Sequence, residues 1–187
     1  MATSPYEIVA GPATVFLAPV ATAFPGIAVS MPTGAWVDLG DTEGGVTARH
    51  TQSVELLRVD QATGPKKAIR SEEGLEIEFQ LAELTIENFG KALNNATVTT
   101  GGSPTTKSIK LHQGFDVAQW AFVVRGPSPY GNWNLQYEVP VVVQVEEPEV
   151  AFVRDDKSVL QVKFTAIEDP LAATEADRFG VLRAQSA

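Results

Sequence analysis

A mainly β chain, folded as a β-sandwich or open barrel with one flanking α-helix and a long projecting β-hairpin loop, is the class this sequence predicts. Three observations lead there. Apolar and polar residues alternate with period two over Ile69–Leu81 and Trp133–Val145. Turn signals separate seven to nine strand-like runs. Helical spacing holds in one segment, Thr85–Asn94. The length of 187 residues fits one domain, 1–187, with arms at its ends. A 44% hydrophobic content supports a core, and the 15 glycines and 12 prolines read as turns.

The elements follow in order. Pro5–Met31 is apolar and broken by Pro12, Pro19 and Pro25, with Pro32 beyond it. Short strands fit at Ala13–Ala18 and Trp36–Leu39, at edges, with a long loop between them. The next strand runs Val46–Val59. Its alternation fails at Leu56 and Leu57, which predicts a bulge or burial on both faces. Gly64-Pro65, within Asp60–Lys67, marks a loop tip. In the return strand, Ile69–Leu81, Leu75, Ile77, Phe79 and Leu81 point one way, and Glu76, Glu78 and Gln80 the other. Arms of about 13 residues reach roughly 40 Å, where a usual strand has about 5–6 residues. Such a hairpin either projects from the domain or pairs with another chain.

Thr85 is placed to cap the helix, Glu87 lies at its positive end, and Ile86, Phe89 and Leu93 form its packing face together with Ala92. Ala96–Thr106 reads as a loop. Strands follow at Ser108–His112 and Trp120–Arg125, then a turn at Gly126–Asn132. In Trp133–Val145 the residues Trp133, Leu135, Tyr137, Val139, Val141, Val143 and Val145 share one face, and Pro140 on the other hints at an edge or bulge. Val150–Arg154 and Val159–Ala166 flank the turn Asp155-Asp156-Lys157, with Leu160, Val162, Phe164 and Ala166 on one face. From Asp169-Pro170 onward the chain reads as an arm with room for a short helix.

Composition removes several kinds of chemistry. The formal charge of −9 disfavours gripping a phosphate backbone, although an acidic protein can surround DNA without holding it. The absence of cysteine excludes disulfides and thiolate chemistry. No apolar run approaches the roughly 20 residues of a membrane span, and MATSPYEIVAG lacks the basic start and apolar core of a signal peptide. His50 and His112 have no ligand spacing, and neither Asp38, Asp41 and Glu43 nor Asp155 and Asp156 follow the oxygen spacing of a calcium loop, so turn capping is the reading. Gly40, Gly44 and Gly45 lack the Lys-Ser/Thr and helix of a phosphate loop. No G-x-S-x-G elbow occurs. Glu72, Glu73, Glu76 and Glu78 read as a solvated or interface face rather than an acid–base pair. The expectation is a non-enzyme with no catalytic residue, metal or cofactor.

Five stretches carry a family resemblance: AGPATVFLAPVATAFP at 10–25, GAWVDLGDTEGG at 34–45, VDQ at 59–61, EGLEIEFQLAELTIENFGKAL at 73–93, and FTAIEDP at 164–170. In order and spacing the chain resembles the major tail tube proteins of long-tailed (siphovirus-like) bacteriophages over most of residues 9–170. The resemblance implies a virion structural protein whose six-subunit rings join their sheets into an inner β-barrel and stack into a tube that conducts DNA. It implies assembly in the host bacterial cytoplasm, and as partners the protein itself and the tail terminator, distal tail and tape measure proteins. Inter-ring contacts would fall on the loop at about 58–70, with Gly64, Pro65, Lys66, Lys67 and Arg70, and on arms at about 1–12 and 170–187. The lysines and Arg70 would meet an acidic patch on the neighbouring ring. Glu76 or Glu78 would line the lumen, where negative charge keeps DNA sliding. The competing reading is a carbohydrate-binding β-sandwich module of a phage or bacterial surface protein, with Trp36, Trp120, Trp133, Tyr130 and Tyr137 as a stacking platform rather than core.

Overall fold

A computed structural model describes residues 8–29, 31–94, 97–150, 152, 154 and 157–186. Leu75, Ile77, Phe79 and Leu81 are buried while the residues between them are half-exposed, so the alternation read in this strand is its burial pattern. Among the described residues it is one of ten strands, with one α-helix: β1 (Thr14–Pro19), β2 (Val37–Asp38), β3 (Thr42–Leu57), β4 (Lys67–Leu81), α1 (Ile86–Ala92), β5 (Val98–Gly101), β6 (Thr106–Ile109), β7 (Trp120–Pro127), β8 (Asn134–Gln144), β9 (Leu160–Ala166) and β10 (Val181–Ala184). Eight of them form one antiparallel sheet in the order β2-β1-β7-β8-β9-β4-β3. β10 shares an edge of β8 with β9: β9 takes Val142–Gln144 and β10 takes Leu135–Glu138.

The two ends of this sheet are joined by three residues. Leu39–Asp41 lead from β2 into β3; Leu39 N–H donates to Val15 O (3.1 Å) and Ala82 N–H donates to Asp41 O (2.9 Å). Three residues span on the order of 10–14 Å, so the sheet rolls until its ends meet, and no β2–β3 ladder closes it: an open barrel. Gly40 turns the corner at φ +90°, where a Cβ would stand 2.6 Å from the Glu83 carboxyl carbon. Asn88 of α1 pins the corner, its Nδ2 donating to Leu39 O (2.9 Å) and Glu83 O (3.2 Å).

Inside the roll, Val15, Leu17, Leu39, Ile77, Val139, Val162 and their neighbours surround Phe79, Phe122 and Phe164, whose ring centroids lie 5.0–6.0 Å apart. A second, smaller cluster lies on the opposite face of β1 and β7, where Phe16, Ala18, Ala121 and Val123 pack beneath Trp36 and Phe24 of the β1–β2 loop. Polar side chains fasten this loop. Arg125 donates to Val29 O (2.7 Å) and Gly26 O (3.2 Å), Gln136 to Pro25 O (2.9 Å) and Asn134 to Ile27 O (2.8 Å). Arg125 also bonds Gln136 Oε1, Gln136 donates to Glu138 (2.7 Å), and Arg183 of β10 closes the chain on Glu138 (3.1 Å). Burial lowers the Arg125 pKa and Glu138 opposes that. Arg125, Gln136 and Glu138, all buried, thereby satisfy one another.

Several expectations are corrected. β8 does not keep one apolar face. Its register against β7 shifts between the pairs Trp120↔Val142 and Phe122↔Val139, an extra residue beside Pro140. Val139 and Val142 therefore share the core, Gln136 and Glu138 are buried under the loop, and Trp133 lies outside the strand, exposed. In the β3–β4 hairpin the irregularities fall at Glu43/Val46 and Ser53/Val54, and Leu56 and Leu57 are neither bulged nor buried. On α1, Phe89 packs against the core, but Ile86 and Leu93 are only half-buried. The buried positions are Asn88, Gly90 and Ala92, because Asn88 turns inward to bond the corner. Part of the loop at 96–106 is a hairpin, β5–β6, held to α1 by Lys107 on Glu87. The arm at 170–187 has a 3₁₀ turn at Glu175–Asp177 and returns to the sheet as β10. Val150, Phe152 and Arg154 are not in a strand; Asp155 and Asp156, and residues 1–7 of the N-terminal arm, lie outside the described residues.

Two measurements check this construction. Gly180 has φ +104°, and a Cβ there would lie 2.0 Å from Glu138 O. Gly180→Ala should displace β10 and cost about 1–3 kcal/mol in thermal unfolding; Gly26→Ala, with nothing within 4 Å, should be silent. The Lys107 bond, then Glu87's own backbone N–H, lower the Glu87 pKa against a smaller opposing effect of burial. A depressed carboxylate stabilises above its unfolded pKa and loses that contribution as pH falls through the folded one. Amide protection in Val98–Ile109, measured relative to the intrinsic exchange rate, should therefore fall below the ordinary carboxylate range, and Lys107→Met should lower it already at neutral pH.

Candidate assembly surfaces

β4 pairs with β9 only from Glu76 to Leu81, whereas its pairing with β3 continues to Leu57↔Lys67. From Leu75 outward the hairpin is therefore a two-stranded ribbon, about 25–30 Å long at roughly 3.3 Å per residue. On β3 the inward side continues as His50, Gln52, Val54 and Leu56. An extra residue on β4, at Ser71, brings Arg70 and Ala68 opposite Val54 and Leu56. The core-side face of the ribbon thus ends in Val54, Leu56 and Ala68 with no core to cover them, and Leu56 is 56% exposed. Its other face carries Leu57 and Ile69, also exposed. Two-stranded ribbons are marginal alone, and both ribbon edges lack a strand partner from Leu57 and Lys67 to about Leu75.

At the tip, Lys66 N–H donates to Leu57 O (2.8 Å) and Arg58 to Thr63 O (3.0 Å), so the turn around Gly64 and Pro65 is folded. Lys66 and Lys67 are exposed, and Arg70 pairs with Glu73 (2.7 Å). Between the ribbon and the return to β10 lies a cleft of about 320 Å³, with His50, Gln52, Arg70 and Glu73 on one side and Phe179 and Gly180 on the other.

Glu76 and Glu78 stand on the solvent face of β4. Glu76 is shared by Lys163 (3.1 Å) and Arg49 (3.7 Å), and Gln161 donates to Glu78 (3.2 Å). The face is polar and mixed in charge, with Thr47, Arg49, Lys163 and Thr165 beside the two carboxylates.

The remaining candidates are dispersed. Trp36 lies under the β1–β2 loop, with its Nε1 donating to Ala23 O (3.0 Å), while Trp120 and Tyr137 pack against the main core. Tyr130 and Trp133 are exposed at one turn, so the five aromatics do not form a platform. His50 and His112 are separate, and among the described residues no three His, Asp or Glu side chains converge as for a metal. Asp38 accepts from Gly40 N–H (2.9 Å), Glu43 pairs with Lys157, and Gly44 and Gly45, both at positive φ, lie where the ladder skips from Glu43 to Val46. Sequence reasoning missed the Arg125–Gln136–Glu138–Arg183 chain. The polar pair at facing register positions Arg125↔Gln136, in two largely apolar strands, is its signal.

No curated protein gives a significant match to the sequence. The family model described as phage tail tube protein matches residues 1–180, nearly the whole chain. A mainly β subunit built on one large antiparallel sheet, covered end to end by that model, belongs to the phage tail tube proteins, structural components of the virion tail.

Proposed function

We propose that six copies of this chain close into a ring, and that rings stack into the tube through which DNA passes from capsid to host. The observation that carries this reading is the β3–β4 ribbon, which leaves the barrel with apolar residues on both faces and open edges. Among the described residues no strand pairs with these edges, and an open edge of this length is a template for pairing with another chain. A contact between unlike patches closes a ring in one direction and leaves a stack open in the other.

In this reading the lumen is lined by the solvent face of β3, β4 and β9, with Glu76 and Glu78 among Arg49, Gln161 and Lys163. Such a surface offers DNA neither an apolar patch nor an uncompensated cationic one. Its lubrication comes from local charge balance rather than from excess negative charge, since Glu76 is bridged from two sides. The tail terminator, distal tail and tape measure proteins are the partners that cap the tube and fill it during assembly in the host cytoplasm.

Electron microscopy of the purified protein at rising concentration should show six-membered rings or tubes; dispersed monomers at high concentration would end this reading. Leu56→Asp should abolish tubes while shifting the melting temperature by no more than about 2 °C, since an exposed position away from the core changes stability by only about 0.5 kcal/mol.

A further inference from the structure

Three adjacent strands bring one polar residue each to a single register position. Arg125 of β7 faces Gln136 of β8, and Gln136 faces Arg183 of β10. Glu138, two residues along β8, stands on the same face. Arg125, Gln136 and Glu138 are buried, whereas the Arg183 side chain is 57% exposed. The hydrogen bonds of this row run one way. Arg183 Nε donates to Glu138 Oε2 (3.1 Å), and Gln136 Nε2 donates to Glu138 Oε1 (2.7 Å). An amide that gives a hydrogen to a carboxylate cannot turn over without setting oxygen against oxygen. Gln136 therefore presents its oxygen to Arg125 Nε (2.9 Å) and also donates from Nε2 to Pro25 O (2.9 Å). Arg125 directs further donors to Val29 O (2.7 Å) and Gly26 O (3.2 Å). The row thus holds two cations and one carboxylate. Both oxygens of Glu138 are engaged, and its charge still acts on Arg125, opposing the effect of burial there. Taking Arg183 away leaves a buried carboxylate short of a cation, which is strongly disfavoured, and Arg125 is the other cation of the row.

We propose that β10 and the β1–β2 loop are the two ends of one switch, in which Arg183 and Arg125 compete for Glu138. With β10 seated, Arg183 holds the carboxylate and Arg125 grips the loop. With β10 drawn off β8, Glu138 takes Arg125, and the guanidinium leaves the carbonyls at positions 26 and 29. The loop thereby registers whether the C-terminal strand is docked, although among the described residues Arg183 bonds Glu138 and no atom of the loop. The device belongs to a single chain and does not rest on the tube reading. Coupling of this kind is reciprocal: a loosened loop releases Arg125 to contest Glu138, and so weakens the seat of β10.

Hydrogen exchange of the dilute protein, followed by NMR, tests it. The Trp36 indole N–H, bonded to Ala23 O (3.0 Å), and the Val29 N–H, bonded to Gly26 O (3.2 Å), report on the loop; the Gln185 N–H, bonded to Asn134 O (2.9 Å), reports on β10. Arg183→Met, which removes the charge and keeps most of the stem, should lower protection at Trp36 and Val29 by about fivefold or more, and Arg183→Lys should retain most of it. Phe24→Ala takes away the ring beside Trp36 (centroids 5.7 Å apart) and should lower protection at Gln185 from the other end. Ser128→Ala removes a bond to Gln185 O (2.9 Å) that lies outside the row, and should leave the loop as it was. Loop protection untouched by Arg183→Met overturns the switch, whatever β10 does. An equal loss in Ser128→Ala overturns it as well, because the loop would then be answering to general loosening of β10 and not to the contest for Glu138.

Discussion

The structure depends on how the ends of one sheet are brought together. Leu39–Asp41 connect β2 to β3, and so carry the chain from one margin of the sheet to the other within three residues. That tether fixes the curvature, and with it the main core in which β1, β4, β7, β8 and β9 face one another. The corner takes positive φ at Gly40, which disfavours any other residue there, and is fastened from outside by Asn88. The helix therefore serves as a clasp on the closure more than as a layer of the core, which accounts for a polar residue at its most buried side.

Once the margins meet, β3 and β4 cannot both remain on the barrel along their whole length. β9 accompanies β4 for six residues, and the rest of the pair extends beyond the roll as a ribbon. The apolar stripe that fills the core is continued past the point where a core exists. The core and the exposed ribbon are thus two stretches of one alternating pattern, separated by the extra residue at Ser71 that keeps both stretches on the same side.

Much of this was readable in the residues, because period two survives wherever one face of a strand meets a core. β4 and β9 are the clear cases, with Leu75–Leu81 and Leu160–Ala166 alternating as their burial does. The reading failed where a residue is buried for polar reasons or where the pattern is interrupted. In β8 the extra residue beside Pro140 reverses the faces, and Gln136 and Glu138 are covered by a loop some hundred positions earlier in the chain, a contact no local period reports. The short strands β5, β6 and β10 carry little alternation because both their faces are largely exposed. The candidate surfaces divide likewise. The ribbon was visible as an over-long hairpin, whereas the ion pairs of Glu76 with Lys163 and Arg49 form only through the fold.

The fastening of the β1–β2 loop has an evolutionary implication. Arg125, Asn134 and Gln136 hold it through the carbonyl oxygens at positions 25, 26, 27 and 29. Carbonyls are common to every residue type, so the grip reads the path of the backbone and ignores the identity of what travels along it. This exterior strip is accordingly free to drift in sequence, or to be rewritten as a display site, while the barrel beneath it stays the same.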